Sequence, residues 1–144
     1  MSRIARHIQD LIEQVTEYRD QGQWQKLEQY FTEKTFIDDE ALTHEAPSMR
    51  SIENMMSGWR RLIRDLYYGA KHQLGAIRVE RSGRKEVIAE SDMSARYYTA
   101  RGGKRYVLQM KGVYHYTFKK VAGRWKIAQM KLIVSSQNLQ PLGA

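Results

Sequence analysis

The stretch Glu86–Lys120, EVIAESDMSARYYTARGGKRYVLQMKGVYHYTFKK, decides the fold. Val87, Ala89, Ser91, Met93, Ala95 and Tyr97 alternate on one face of its first half. Tyr106, Leu108, Met110, Gly112, Tyr114, Tyr116 and Phe118 do the same in its second half. A period of two is the signature of a strand with one buried face. Gly102-Gly103 between the halves is a two-residue hairpin signal. The stretch therefore predicts two long antiparallel strands, about Glu86–Ala100 and Lys104–Lys120.

The same pattern extends outward. His72–Arg81 predicts a strand ahead of the pair, joined through a turn at Ser82-Gly83. Ala122-Gly123 turns the chain into a last strand, about Arg124–Ser135. There Trp125 and Ile127 share one parity, whereas Met130, Leu132 and Val134 take the other. A bulge near Gln129 reconciles the two sets. Residues 137–144 contain Pro141 and Gly143 and are expected to form a flexible tail behind a single domain of residues 1–136.

Upstream the period changes to that of a helix. Ile4, Ile8, Leu11, Ile12 and Val15 predict an amphipathic helix from about Ser2, its N-cap, to Asp20, with Gly22 as the stop. A short second helix carries Trp24, Leu27, Tyr30 and Phe31. Thr35–Thr43 reads as an edge strand or an extended link. Pro47 is expected in the first turn of a third helix. Its buried stripe runs through Met49, Ile52, Met55, Met56, Trp59, Leu62, Ile63 and Leu66, and Gly69 ends it. Helices followed by long antiparallel strands make an α+β domain, with helices packed on a strongly curved antiparallel sheet. A coiled sheet closed by helices encloses a conical cavity.

At 144 residues, 42% hydrophobic and 28% charged, the chain is the size and composition of one globular domain. It has no cysteine, which excludes disulfides, thiolate nucleophiles and cysteine-ligated zinc. Its start lacks the apolar core of a signal peptide, and no apolar run has the length of a membrane span, so a cytoplasmic protein is expected. The net charge of +8 comes largely from turn-flanking residues such as Arg81, Arg84, Lys85, Arg101, Lys104, Arg105, Lys119, Lys120 and Arg124. Scattered turn charges keep a protein soluble, so a nucleic-acid partner is not the expected one. His7, His44, His72 and His115 have no metal-ligand spacing, and no phosphate loop, nucleophile elbow or zinc helix is present. Neither metal nor cofactor is expected.

His72, in Lys71-His72-Gln73-Leu74-Gly75, sits at the mouth of the sheet. An acid from the first helix can pair with it, and imidazole titrates near neutral pH, so the pair can take and return a proton. His72 shares a face with Leu74 and Ala76. Met93 and Tyr97 share a face on the next strand, as do Met110 and Tyr114 on the one after. With Trp59 from the helix, these side chains are the candidate lining of an apolar pocket for a small hydrophobic or aromatic ligand. Asp38 or Asp39 is a further candidate for the cone mouth. His115 is expected outside. Each has a structural alternative: the methionines and tyrosines as core, the histidine as a satisfied core residue.

The frame resembles the SnoaL-like branch of the NTF2-like superfamily. The matching residues are Asp20-x-x-x-Trp24-x-x-Leu27, His72-x-Leu74-Gly75 and Phe118-Lys119-Lys120-Val121-Ala122-Gly123-Arg124-Trp125-Lys126-Ile127. The likeness covers nearly the whole chain and implies a conical α+β fold. Within the branch it is similar to the scytalone and bile-acid dehydratases. That implies Asp20 as the partner of His72, with dehydration as the reaction. Tyr97 falls by register where scytalone dehydratase has a second histidine, and Gly112 and Tyr114 stand at its serine and asparagine. The implied function is a lyase or isomerase, with His72 as base and acid, Asp20 orienting it, and Tyr97 and Tyr114 binding the substrate oxygen. The alternative is a non-catalytic module that binds a ligand or assembles with a protein. A homodimer through the outer sheet face is expected, because Val107, Val113 and Met130 read as outward-facing there.

Overall fold

A computed structural model describes residues 2–143. Helix α1 spans Arg3–Asp20, with the Ser2 hydroxyl accepting from the Ala5 amide at 3.1 Å. The end of α1 is fixed by its backbone. Gly22 adopts φ +67°, which an L side chain disfavours. Its amide donates to Arg19 O, and that of Gln23 donates to Tyr18 O, closing a Schellman cap. This turn sets the direction of Arg19 and Asp20.

Helix α2 (Trp24–Leu27) continues into a 3₁₀ turn (Glu28–Tyr30) and strand β1 (Phe31–Asp38). A short helix α3 (Glu40–Thr43) and strand β2 (Ser48–Ser51) precede helix α4 (Ile52–Arg61), which ends in a π-helical turn (Leu62–Leu66). Four long strands follow: β3 (Gly69–Gly83), β4 (Glu86–Arg101), β5 (Lys104–Val121) and β6 (Arg124–Pro141). One sheet holds all six in the order β2-β1-β6-β5-β4-β3.

The conical α+β expectation holds, with several corrections. The sheet is mixed rather than antiparallel, because β1 pairs parallel with β6. That pairing puts β1 inside the sheet and makes β2 the edge. Pro47 does not start the helix: it precedes β2, and the cap is Ser51, whose hydroxyl accepts from the Asn54 amide at 3.1 Å. Residues 137–141 are not a loose tail. They extend β6 against β5, from Met110 opposite Gln137 to Tyr106 opposite Pro141, because the long β5 offers unpaired backbone there. Ala144, the last residue of the expected tail, lies outside the described residues. Met130 faces the core rather than the outside and is 4% exposed. Ala128 is unmatched where Gln129 faces Thr117 and Ile127 faces Phe118, so the bulge returns Met130 to the side of Ile127.

The core lies between the inward sheet face and α1 with α4. Ile8, Ile12 and Val15 meet Met55, Met56 and Trp59 above Tyr114, Tyr116 and Phe118. Tyr116 is fully buried, and its hydroxyl has no hydrogen-bond partner among the described residues. A buried unpaired hydroxyl carries a desolvation cost. Tyr116→Phe is therefore expected to raise stability by about 1 kcal/mol, read as a higher urea midpoint at unchanged slope.

No helix among the described residues is long and apolar enough to cross a membrane.

Candidate active site

The register of β3 on β4 places His72 opposite Ala95 and Ala70 opposite Tyr97. His72 and Tyr97 are thus diagonal neighbours on the inward face, close enough for long side chains to touch. On β5, Gly112 lies opposite Met93 and Tyr114 opposite Ser91. Ala95 and Gly112 are the small inward residues here. The room they leave is taken by the two tyrosines, which both reach the imidazole. Gly112 is small of necessity: a Cβ there would collide with the Ile133 carbonyl of β6.

The end of α1 crosses over this point. Asp20 Oδ1 lies 2.6 Å from His72 Nδ1, and Oδ2 accepts from the His72 amide at 2.7 Å. The carboxylate therefore grips both the ring and the backbone of His72. As an acceptor it selects the tautomer with the proton on Nδ1. Nε2 of the neutral ring is then a bare acceptor, and the Tyr97 hydroxyl donates to it at 2.8 Å. Tyr114 Oη is 3.4 Å from the same nitrogen. The His72 side chain is 3% exposed and that of Asp20 19%.

Burial, the largest influence, pulls His72 below its ordinary 6.5. The Asp20 hydrogen bond and charge oppose this, and the charge of Arg19 adds to it. Burial also pushes Tyr97 well above its ordinary 10, with Tyr114 beside it acting the same way, so Tyr97 remains a donor. At neutral pH the array is a neutral base held by a carboxylate and capped by a phenol. The unfolded chain binds a proton at His72 near pH 6.5, which the folded chain takes up only at lower pH. Stability is thus expected to fall as pH drops below about 6.5 towards the depressed folded value. Urea midpoints at about pH 7 and pH 5 should differ more for the parent protein than for His72→Gln.

The surrounding cavity is small, about 20 Å³, and is lined by Arg19, Asp20, Trp59, Ile63, His72 and Tyr97 among others. That is room for about one water molecule. A larger open hollow of about 510 Å³ lies between α1 and β3 and shares Asp20, Ala70 and His72 with it.

Of the residues expected at the site, Asp20, His72, Tyr97 and Tyr114 come together, and Trp59 lines the cavity. Met93 and Met110 are buried in the core, 4% and 1% exposed, and do not line it. Asp39 pairs with Thr43 and, at 3.7 Å, with Arg50, whereas Asp38 turns towards Lys131. His115 is outside, 3.3 Å from Glu90. Arg19 is the residue that sequence reasoning missed. Its guanidinium lies 4.3 Å above the Trp59 ring and 5.7 Å from that of Tyr114. The signal was its spacing, since Arg19 continues the Ile8, Ile12, Val15 stripe of the buried helix face.

The sequence model of the SnoaL-like domain matches residues 3–131. The chain belongs to the SnoaL-like domain family. Solved structures similar to this SnoaL-like domain share its fold at low identity. A Kribbella flavida protein, Kfla4162, is 18% identical with a TM-score of 0.80, over 94% of this chain and 93% of its own. A putative scytalone dehydratase from Novosphingobium aromaticivorans is 16% identical with a TM-score of 0.75, over 96% and 93%. The hexachlorocyclohexane dehydrochlorinase LinA-type3 of Novosphingobium barchaimii is 17% identical with a TM-score of 0.80, over 99% and 90%. No curated protein matches.

Proposed function

We propose that this SnoaL-like domain catalyses a cofactor-independent elimination or isomerisation of a small molecule by proton transfer at His72. The observation that carries the reading is the array Asp20–His72–Tyr97, with contacts of 2.6 and 2.8 Å on opposite ring nitrogens. Such an array needs no cofactor. His72 Nε2 takes a proton from the carbon next to a carbonyl, and Asp20 stabilises the imidazolium that forms. The Tyr97 hydroxyl turns from Nε2 to the carbonyl oxygen and donates to the developing enolate. The C–O bond of a β-hydroxyl then breaks, and the Nε2 proton goes to the departing oxygen, giving water and a conjugated carbonyl. Ligand entry separates Tyr97 from His72 and enlarges the cavity. The names of a dehydratase and a dehydrochlorinase among proteins of this fold support an elimination.

A second reading, a non-catalytic ligand-binding or assembly module, is favoured by the cavity of about 20 Å³, which is too small for a substrate as it stands. The deciding experiment is a screen of β-hydroxy carbonyl compounds and polycyclic ketones for formation of conjugated product. Turnover that depends on His72 supports the enzyme. Turnover indifferent to His72, or none across the screen, supports the module.

A further inference from the structure

Two side chains of the cavity, Arg19 and Trp59, carry N–H donors that lack acceptors among the described residues. Arg19 lines the cavity with a guanidinium whose one hydrogen bond among the described residues is a long contact of 3.5 Å to Tyr114 Oη. A guanidinium has five N–H donors and no acceptor. Among the described residues, no carboxylate lies within ion-pair distance of Arg19. Both oxygens of its neighbour Asp20 are turned to His72. Trp59 lines the same cavity and is 3% exposed, and its Nε1–H has no hydrogen-bond partner among the described residues. Indole nitrogen is a donor only. The acceptor His72 Nε2 already receives the Tyr97 hydroxyl hydrogen bond at 2.8 Å.

Buried donors without acceptors are costly, so a wall built of them suits a ligand made of acceptors. A planar group with two charged oxygens matches the fork of an arginine better than a neutral carbonyl does. The Trp59 ring covers one face of the guanidinium and leaves its N–H edge for such a partner.

We infer that the ligand of this site carries a carboxylate, seated on the Arg19 guanidinium with the Trp59 indole N–H as a second donor. This rests on the proton-transfer reading in taking that ligand for the substrate, which would be a β-hydroxy or similarly activated acid rather than a wholly apolar molecule. Arg19 is then a specificity-determining residue, because a neutral analogue leaves its charge unpaired.

The test compares acetate and benzoate with acetamide and benzamide, by NMR titration of the His72 ring resonances. The parent protein is expected to bind at least one carboxylate roughly ten- to a hundredfold more tightly than its amide, as a charge-assisted contact implies. Arg19→Met should abolish that preference while keeping the His72 Nδ1–H resonance, and Arg19→Lys should retain part of it. Trp59→Phe, which keeps a ring and loses the N–H, should reduce it severalfold. Equal response to acid and amide in the parent protein, including no response to any of the four, would overturn the inference. So would a preference that survives Arg19→Met. Turnover that depends on His72 without carboxylate preference sinks the inference alone. Carboxylate preference without such turnover sinks the catalytic reading alone.

Discussion

His72→Ala is expected to lower turnover of an identified substrate by roughly 10²–10⁴, the usual contribution of a positioned general base. The substitution deletes Nε2, the proposed base, and leaves the inward faces of the sheet strands in place. Asp20→Asn should cost a similar order, for a different reason. An amide in place of the carboxylate removes the charge that stabilises the imidazolium and offers Nδ1 a donor as readily as an acceptor, so the tautomer is no longer fixed. The two losses should not add, since both act on one proton. Tyr97→Phe removes the donor to Nε2 and, in the proposed mechanism, to the substrate oxygen, and should cost less than either, because Tyr114 lies 3.4 Å from the same nitrogen. Rates for the three single variants and the His72→Ala/Asp20→Asn double variant check this pattern. Fully additive losses would contradict the account.

Phe31→Ala should carry the largest loss of stability among simple core truncations, about 3–5 kcal/mol. Phe31 is fully buried and opens β1 opposite Ile127 of β6, where the parallel pairing begins. Its ring meets Trp59 edge-on, with centroids 5.6 Å apart. Trp59 in turn carries the Arg19 guanidinium. The truncation therefore opens a cavity beneath the platform of the site as well as in the core. Against a total of about 5–15 kcal/mol for a domain, such a loss brings the protein near unfolding at growth temperatures. Urea denaturation should show a much lower midpoint at unchanged slope. A loss under about 1 kcal/mol would mean that β1 and α4 are not held through this contact.

The long strands and α1 were legible because each repeats its pattern many times. Seven inward residues on β5 alternate without interruption, and the bulge in β6 announced itself as a change of parity at Met130. What escaped was short or non-local. β2 has four residues, too few for a period, and Pro47 ahead of it looked like a helix start. The parallel partner of β1 is β6, some ninety residues away, and nothing in Phe31–Asp38 specifies such a neighbour. Residues 137–141 lack a strand pattern because β5, not a hydrophobic face, holds them. At the site, His72 was visible from its place at the sheet mouth, and Asp20 from the family likeness. Tyr97 and Tyr114 followed from strand parity. Met93 and Met110 share that parity yet stay in the core, because parity gives the side of a sheet and not the depth of a cavity. Arg19 was missed since an arginine in the last turn of a helix usually faces solvent. Its half-buried, inward position makes the pocket more polar than the sequence suggested.

Proton transfer in the proposed mechanism requires His72 to be a neutral base with its proton on Nδ1, gripped by Asp20. Nitrogen-15 NMR of the His72 ring between about pH 5 and pH 8 tests this directly. The prediction is a protonated Nδ1 and a bare Nε2 at neutral pH, a titration below the ordinary histidine value, and loss of the protected Nδ1–H signal in Asp20→Asn. An Nε2-protonated ring, or an imidazolium at neutral pH, would contradict it.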